Sequence, residues 1–430
     1  MKAQYVKRPT LRALSIAGVT VVAASLGVGT TAIGAPSPAP TSSMKQSPCP
    51  VEDGVTAGSV TVDLIMPKTG PSAPTYVGFD AAARLRIDQE NAKGGVFGRK
   101  IKLNAVLDDQ GSGALQTGIA VKAVEDDRVF GILATSPVET MYPYFKQKNI
   151  PIVGQRGALA YGTDRNAFGS NGAWSNRYST TMWTTRLKMA GSARAAAIGP
   201  NSGSGIVAAN NVYAQYPIFG MAQAVKITDL SLGAFDGTST ALRLKQANAD
   251  GIFSLLSTDG NISVYQAMKQ QGFTPKGFIA TGITDPAVVA KVGPAIEGMI
   301  SGTYGAVPYN VPVPAMRTFI AAMKAAGLNP YTAVAPMGYI SADLFIRGLK
   351  EAGRCLTREG FITKLRQVDN FTGSGLLPQK VSYRPGLTPN GNPPKCMWFS
   401  TVVNGALVPD AKPTCGEKFY DMDTNTLVDG

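Results

Sequence analysis

The chain has 430 residues, 41 Lys and Arg against 28 Asp and Glu, a formal charge of +13, and no His. The missing imidazole excludes Ser/His/Asp and Cys/His nucleophilic arrangements and every His-bound metal site at once, while Lys chemistry and paired carboxylates stay open. The basic residues are scattered among acids, with no basic block and no aromatic interleaving, which argues against nucleic acid as a partner.

In chain order, Lys2, Lys7, Arg8 and Arg12 make a basic head, an apolar run follows over roughly 14–34, and a Pro/Ser-rich stretch opens at Pro36. That order predicts a secretory signal peptide over 1–35, cleaved between Ala35 and Ala39, so the mature protein works outside the cytoplasm: periplasm, cell surface or medium. The alternative is a leader kept as a single-span anchor. Removing it takes away four positive charges and leaves about +9. Residues 36–56, rich in Pro, Ser and Thr, read as a flexible tether.

Order is expected from a strand over 60–66 (VTVDLIM), a turn over 67–74 (PKTGPSAP) and a helix over 75–91 with Phe79, Ala83 and Ile87 on one face. Gly94-Gly95 stops that helix. Strands over 100–107, 129–133 and 150–153 alternate with helices over 113–125 and 138–148. A second run of the same kind has helices over 181–190, 206–216 and 262–271, and strands over 195–198, 223–227, 250–257, 277–280 and 299–304. Helices over 314–326, 333–353 and 357–367 follow, then a Pro/Gly-rich tail with strand-like pieces at 380–383 and 397–402. Short apolar strands separated by helix-length segments predict an α/β fold with parallel sheets covered on both faces. About 375 residues beyond the tether exceed one growing core, so two lobes are expected.

Four Cys, an even number in an exported chain, favour two disulfides. Cys396 and Cys415 flank a hairpin predicted around Asn404-Gly405 and are paired on that ground, leaving Cys49 with Cys355. No spacing suggests a metal, and nothing calls for a cofactor.

Several pieces in fixed order then carry a resemblance: MPKTGPSAPTYVGFDAAARLRIDQENAKGGVFGRKIKL, DDQGSGALQTGIAVKAVEDDRVFGILATSPVETMYPYFKQKNIPIVG, LRLKQANADGIFSLLSTDGNISVYQAMKQQGF, AIEGMISGTYGAVPY, GYISADLFIRGLKEAG and FTGSGLLPQKVSY. Over roughly 60–410 the chain resembles the extracytoplasmic solute-binding proteins of ABC importers, in particular the branched-chain amino-acid (Leu/Ile/Val) group with the type 1 periplasmic-binding fold. The resemblance implies two Rossmann-like lobes joined by a three-strand hinge, 57–178 plus 308–385 and 179–307 plus 386–430, with ligand in the cleft between them. Each expected disulfide then lies within one lobe. It further implies a monomer that binds a small solute for transport and hands it to a membrane permease without breaking a bond.

Ligands in such sheets sit where strands end and helices begin, beside unpaired N–H groups. Thr135 and Ser136 follow the third strand; Ser136 is either a ligand donor or a helix cap, with Pro137 suited to the first helical position. Gln155 and Arg156 follow the fourth, and Arg156 is either a bidentate carboxylate partner or a solvated surface arginine. The resemblance places a carboxylate at these two loops, although the family usually carries small hydroxyl residues or Ala where this chain has Gln155 and Arg156. Tyr76 and Trp174 are either cleft walls or core. The other lobe supplies Asn201, Thr258, Asp259, Thr281 and Asp285. The family's ammonium-binding acid falls near Thr281; Asp285 comes slightly late and is either that acid or a helix cap. These departures favour an aromatic or alicyclic acid as readily as an amino acid. Two other readings remain: a non-transport sensor or cell-wall-associated interaction module built on the same clamp, and an exported enzyme, for which Asp108, Asp109 and Asp259 show no diagnostic pairing.

Overall fold

The computed structural model of the chain describes residues 49–155 and 157–430. The expected signal peptide and the first part of the tether lie outside these residues. Residues 49–56, within the expected tether, make specific contacts: Cys49 is bonded to Cys355, Glu52 accepts from the Arg358 N–H at 2.9 Å, and Val55 pairs with Val60.

Strands β1 (Ser59–Met66), β2 (Lys100–Asp108), β3 (Gly131–Ala134), β4 (Ile152–Gly154) and β5 (Ala167–Gly169) form a parallel sheet in the order β2-β1-β3-β4-β5. Alternate side chains go to opposite faces, as a two-residue period requires. Val60, Val62, Leu64, Leu133, Val153 and Phe168 pack under the helices Phe79–Ala92, Pro314–Ala325, Ala335–Ala352 and Arg358–Leu365. Ile65, Ile132, Ala134, Ile152 and Ala167 pack under the helices Gly113–Val121 and Tyr142–Gln147. The inner strands β3 and β4, like β5, are apolar and buried on both faces, whereas the edge strand β2 alternates, with Lys100, Lys102 and Asn104 exposed.

The chain continues through β6 (Tyr178–Thr180) and lays down β7 (Arg194–Pro200), β8 (Ala222–Leu230), β9 (Gly251–Ser254), β10 (Gly277–Thr281) and β11 (Ile300–Gly302). After the last three helices that pack on the first sheet, Pro314–Ala325, Ala335–Ala352 and Arg358–Leu365, it returns as β12 (Cys396–Met397), β13 (Phe399–Val403), β14 (Ala406–Pro409), β15 (Thr414–Cys415), β16 (Phe419–Asp421) and β17 (Thr426–Val428). The second sheet runs β14-β13-β11-β10-β9-β7-β8, parallel except for the antiparallel β11–β13 and β13–β14 pairs. The fold is therefore α/β with two parallel-sheet cores, as expected. The hairpin turns at Asn404-Gly405, both at positive φ (50° and 72°), the conformation a two-residue hairpin loop demands. Disulfides join Cys49 to Cys355 and Cys396 to Cys415.

Local departures have local causes. The helix expected over 75–91 breaks into Ala73–Tyr76 and Phe79–Ala92 at Gly78, whose φ is 89° and where a Cβ would lie 2.5 Å from Thr332 Oγ1. The helix expected over 138–148 begins only at Tyr142, so Pro137 does not occupy its first turn and Ser136 does not cap it.

Three segments join the sheets, and they are tied to one another. Asn171 Nδ2 donates to the Tyr304 carbonyl (2.9 Å), the Ala173 N–H donates to the Asn392 carbonyl (3.1 Å), and Gln379 Oε1 accepts from the Lys395 and Cys396 N–H groups. Trp174 packs against cores on both sides of the junction, as does Tyr309. At Gly305, with φ of 122°, a Cβ would lie 2.2 Å from Asn171 Nδ2, so the crossing admits only glycine without rearrangement.

One buried group works against this packing. Asp63 on β1 is fully buried; its Oδ1 accepts from Asn104 Nδ2 and the Ala105 N–H, while Oδ2 has no donor. Burial pushes its pKa up to about 6; the Asn104 and Ala105 bonds hold it down, and the nearby Asp127 carboxyl, itself paired with Lys122, pushes it further up. The folded state keeps this proton up to about pH 6, whereas an unfolded aspartate releases it near 3.8, so the group's contribution falls as pH rises through that window and the penalty is complete above it. Asp63→Asn is expected to stabilise the protein at pH 7.5 by on the order of 1–3 kcal/mol, and by clearly less at pH 4. Thermal unfolding at both pH values checks this; an equal gain at each would contradict it.

Candidate interlobe ligand cleft

The carboxyl ends of the two sheets face one cavity of about 140 Å³. One water needs roughly 10–15 Å³ on this measure, so the space suits about ten waters or one small organic molecule, not a peptide.

On the first-sheet side, the loop after β1 brings Ser72, Thr75 and Tyr76, the end of β3 brings Thr135 and Ser136, and the end of β4 brings Gln155. Thr135 Oγ1 donates to Gln155 Oε1 (3.1 Å), which leaves the Gln155 amide nitrogen for the cavity. Behind Ser136 sits Asp109, fully buried, accepting from Ser136 Oγ (2.5 Å), Gln116 Nε2 (2.7 Å) and the Gly111 N–H (3.0 Å). Burial, and then the neighbouring Tyr304 and Asp109, push the Tyr76 phenol up. Burial also raises Tyr304, with Thr281 pulling it back. Both phenols are therefore protonated donors at neutral pH.

On the second-sheet side, two helices start at the cavity. Ser202 caps the helix Gly203–Gln215 by accepting from the Gly205 N–H (3.2 Å), and Ser257 caps the helix Thr258–Gln270 by accepting from the Gly260 N–H (3.2 Å). Ser204, Thr281 and Thr303 add hydroxyls. Trp183, Phe253, Leu255, Leu256 and Met397 supply apolar wall, with Trp183 stacked edge-on and tilted against Phe399 and Phe253 at 5.4 and 5.2 Å.

Of the residues singled out from the sequence, Tyr76, Thr135, Ser136, Gln155, Trp174 and Thr281 line this cavity. Arg156 lies outside the described residues. Asn201 does not reach the cavity, although Pro200 and Ser202 on either side of it do. Thr258, Asp259 and Asp285 line an adjoining outer groove instead. Asp285 accepts from the Ala287 N–H (2.8 Å) and caps its helix, the plainer of the two roles open to it. Trp183, Phe253, Tyr304 and Met397 were missed, because aromatic and sulfur side chains within apolar segments carry no mark that separates cleft wall from core. No acidic or basic side chain lines the cavity among the described residues, and no cluster there could hold a metal ion.

A family model described as periplasmic binding protein matches residues 59–406. The chain belongs to that family. Among solved structures it is similar to a solute-binding protein of an ABC transporter from R. palustris in complex with benzoate, at 15% identity and a TM-score of 0.69, covering 87% of this chain and 98% of that one. A branched-chain amino-acid ABC transporter protein from Thermus thermophilus with bound valine is similar at 17% identity and a TM-score of 0.70, over 84% and 98%. A solute-binding protein from Rhodopseudomonas palustris HaA2 in complex with p-hydroxybenzoic acid gives 18% and 0.67, over 84% and 97%. No curated protein matches the chain.

Trp183 is 7% exposed and holds cleft wall and core together. Trp183→Ala is expected to cost about 3–5 kcal/mol of stability, measured by denaturant unfolding; a cost below 1 kcal/mol would contradict this packing.

Proposed function

We propose that the protein is an exported solute-binding protein that takes a small carboxylic acid with an uncharged aromatic or alicyclic body into the interlobe cleft and delivers it to an ABC permease. The observation that carries this reading is the lining: hydroxyls, one amide and a large aromatic surface, with no carboxylate among the described residues to receive an ammonium. An α-amino acid would bury its ammonium unpaired, at a cost of several kcal/mol. Asp259 and Asp285, the acids expected to serve it, stand in the outer groove. Aromatic walls give an aromatic ligand a large apolar contact at little entropic cost. The benzoate and p-hydroxybenzoate bound by two of the similar structures belong to this chemical class.

The reading takes over the two-lobe division expected from the sequence, with Tyr76, Thr135, Gln155, Trp174 and Thr281 as ligand contacts and closure about the three crossings on binding. Both disulfides suit an oxidising compartment outside the cytoplasm. The chain acts as a monomer with one ligand.

A thermal-shift screen tests the proposal. Benzoate, p-hydroxybenzoate or cyclohexanecarboxylate is expected to raise the unfolding temperature by several degrees at millimolar concentration, and leucine and valine by less than one. A shift with the amino acids and none with the acids would refute it.

A further inference from the structure

We propose that Glu139 is a positioning residue of the cleft: its side chain braces the loop after β4 against the loop after β3 and so holds Gln155 and Trp174 in place for the ligand. This rests on the carboxylic-acid reading above and adds to it the residue that fixes the shape of the first-sheet wall.

The loop after β3 is held firmly from below. Gln116, fully buried on the helix Gly113–Val121, accepts from the Met141 N–H (3.3 Å), and its amide nitrogen lies 3.2 Å from the Val138 carbonyl. Thr140 Oγ1 donates to the Gly113 carbonyl (2.6 Å). Glu139 stands between these anchored residues, so its backbone is a fixed point.

The loop after β4 has less of its own to hold it. Gln155, at its start, is tied to the other loop by its N–H to the Ala134 carbonyl (3.2 Å) and by Thr135 Oγ1 to its Oε1 (3.1 Å). Neither the Gly157 nor the Ala158 N–H donates to another described residue. The next tie is Glu139 Oε2, which accepts from the Leu159 N–H at 2.9 Å. Burial pushes the Glu139 carboxyl up, the Leu159 N–H holds it down and Asp164 pushes it further up. A carboxyl oxygen accepts this bond whether or not the group is ionised, so the brace is a matter of geometry rather than of charge.

Leu159 hands the brace on to the crossing. It opens the short helix Ala160–Thr163, in which Tyr161 is buried with its hydroxyl 3.0 Å from that of Tyr142. Gly162 lies directly against the first crossing: a Cβ there would come 1.9 Å from the Trp174 carbonyl. Gln155, Gly157 and Trp174 all line the cavity. One carboxyl oxygen therefore fixes the stretch of wall that runs from the end of β4 to the crossing. Without it the Leu159 N–H loses its acceptor, and the ligand has to order a loop that is now held ready.

The test pairs Glu139→Gln, which keeps an oxygen for Leu159, with Glu139→Ala, which does not. Two quantities are read: hydrogen exchange over residues 157–163 of the unliganded protein, and the affinity for benzoate and p-hydroxybenzoate by calorimetric titration. Glu139→Ala is expected to speed exchange over 157–163 at least tenfold, to leave exchange in β3 unchanged, and to weaken whichever acid binds the wild type on the order of tenfold. Glu139→Gln is expected to stay within threefold of wild type in both. Wild-type exchange in Glu139→Ala, exchange raised across the whole first sheet, or Glu139→Gln behaving like Glu139→Ala would each overturn the brace. Faster exchange with unchanged affinity would overturn its role in positioning the ligand. If neither acid binds the wild type, the acid reading falls, and the exchange comparison alone decides whether the brace stands.

Discussion

Parallel strands sealed on both faces leave their polar groups only one place to meet a ligand, the carboxyl edge where strands end and helices start. Here two such edges face each other, and the hydrogen-bonding capacity that each sheet cannot use internally converges on one cavity. Some of it is spent locally: Asp109 takes the Ser136 proton and the Gln116 amide, and Ser202 and Ser257 each accept from their helix. What remains is a set of hydroxyls and one amide set in aromatic surface. The chemistry of the cleft follows from which groups are already spent.

The crossings turn this arrangement into a device. Side chain and backbone bonds from Asn171, Ala173 and Gln379 tie three separate stretches of chain into one junction, while Trp174 and Tyr309 pack against cores on both sides of it. Tyr304 belongs to the junction through its carbonyl and to the cavity through its ring. In the proposed function, closing the cleft and filling it are coupled through such residues, because a ligand touching both walls favours the state in which they approach.

Much of the fold was legible from residue pattern. Apolar strands of four to nine residues between helix-length segments announced parallel sheets, Asn404-Gly405 announced its hairpin, and the hairpin in turn paired Cys396 with Cys415. Thr135, Ser136, Gln155 and Thr281 reached the cavity because strand ends could be located from the strands themselves, whereas Tyr76 and Trp174 were singled out by the resemblance and by their place near the first crossing. The remainder depended on tertiary placement. Pro137 looked like a helix start, yet the turn of chain before Tyr142 is occupied by the Ser136–Asp109–Gln116 contacts. Asp109 showed no diagnostic pairing in the sequence, since nothing local reveals that it is buried against Ser136 of a later loop. Trp183 and Phe253 carry no local mark that separates cleft wall from core, and they serve as both.

The account stands on the aromatic cavity being the place where an acid binds. The chain has three Trp, and two of them, Trp174 and Trp183, line that cavity while Trp398 does not. Titrating benzoate into the Trp398→Phe variant, with emission excited selectively from tryptophan, reads the cavity directly. The account predicts a saturable one-site change in emission that leucine does not produce. A response that disappears with Trp398, or one given by leucine and not by benzoate, would contradict it.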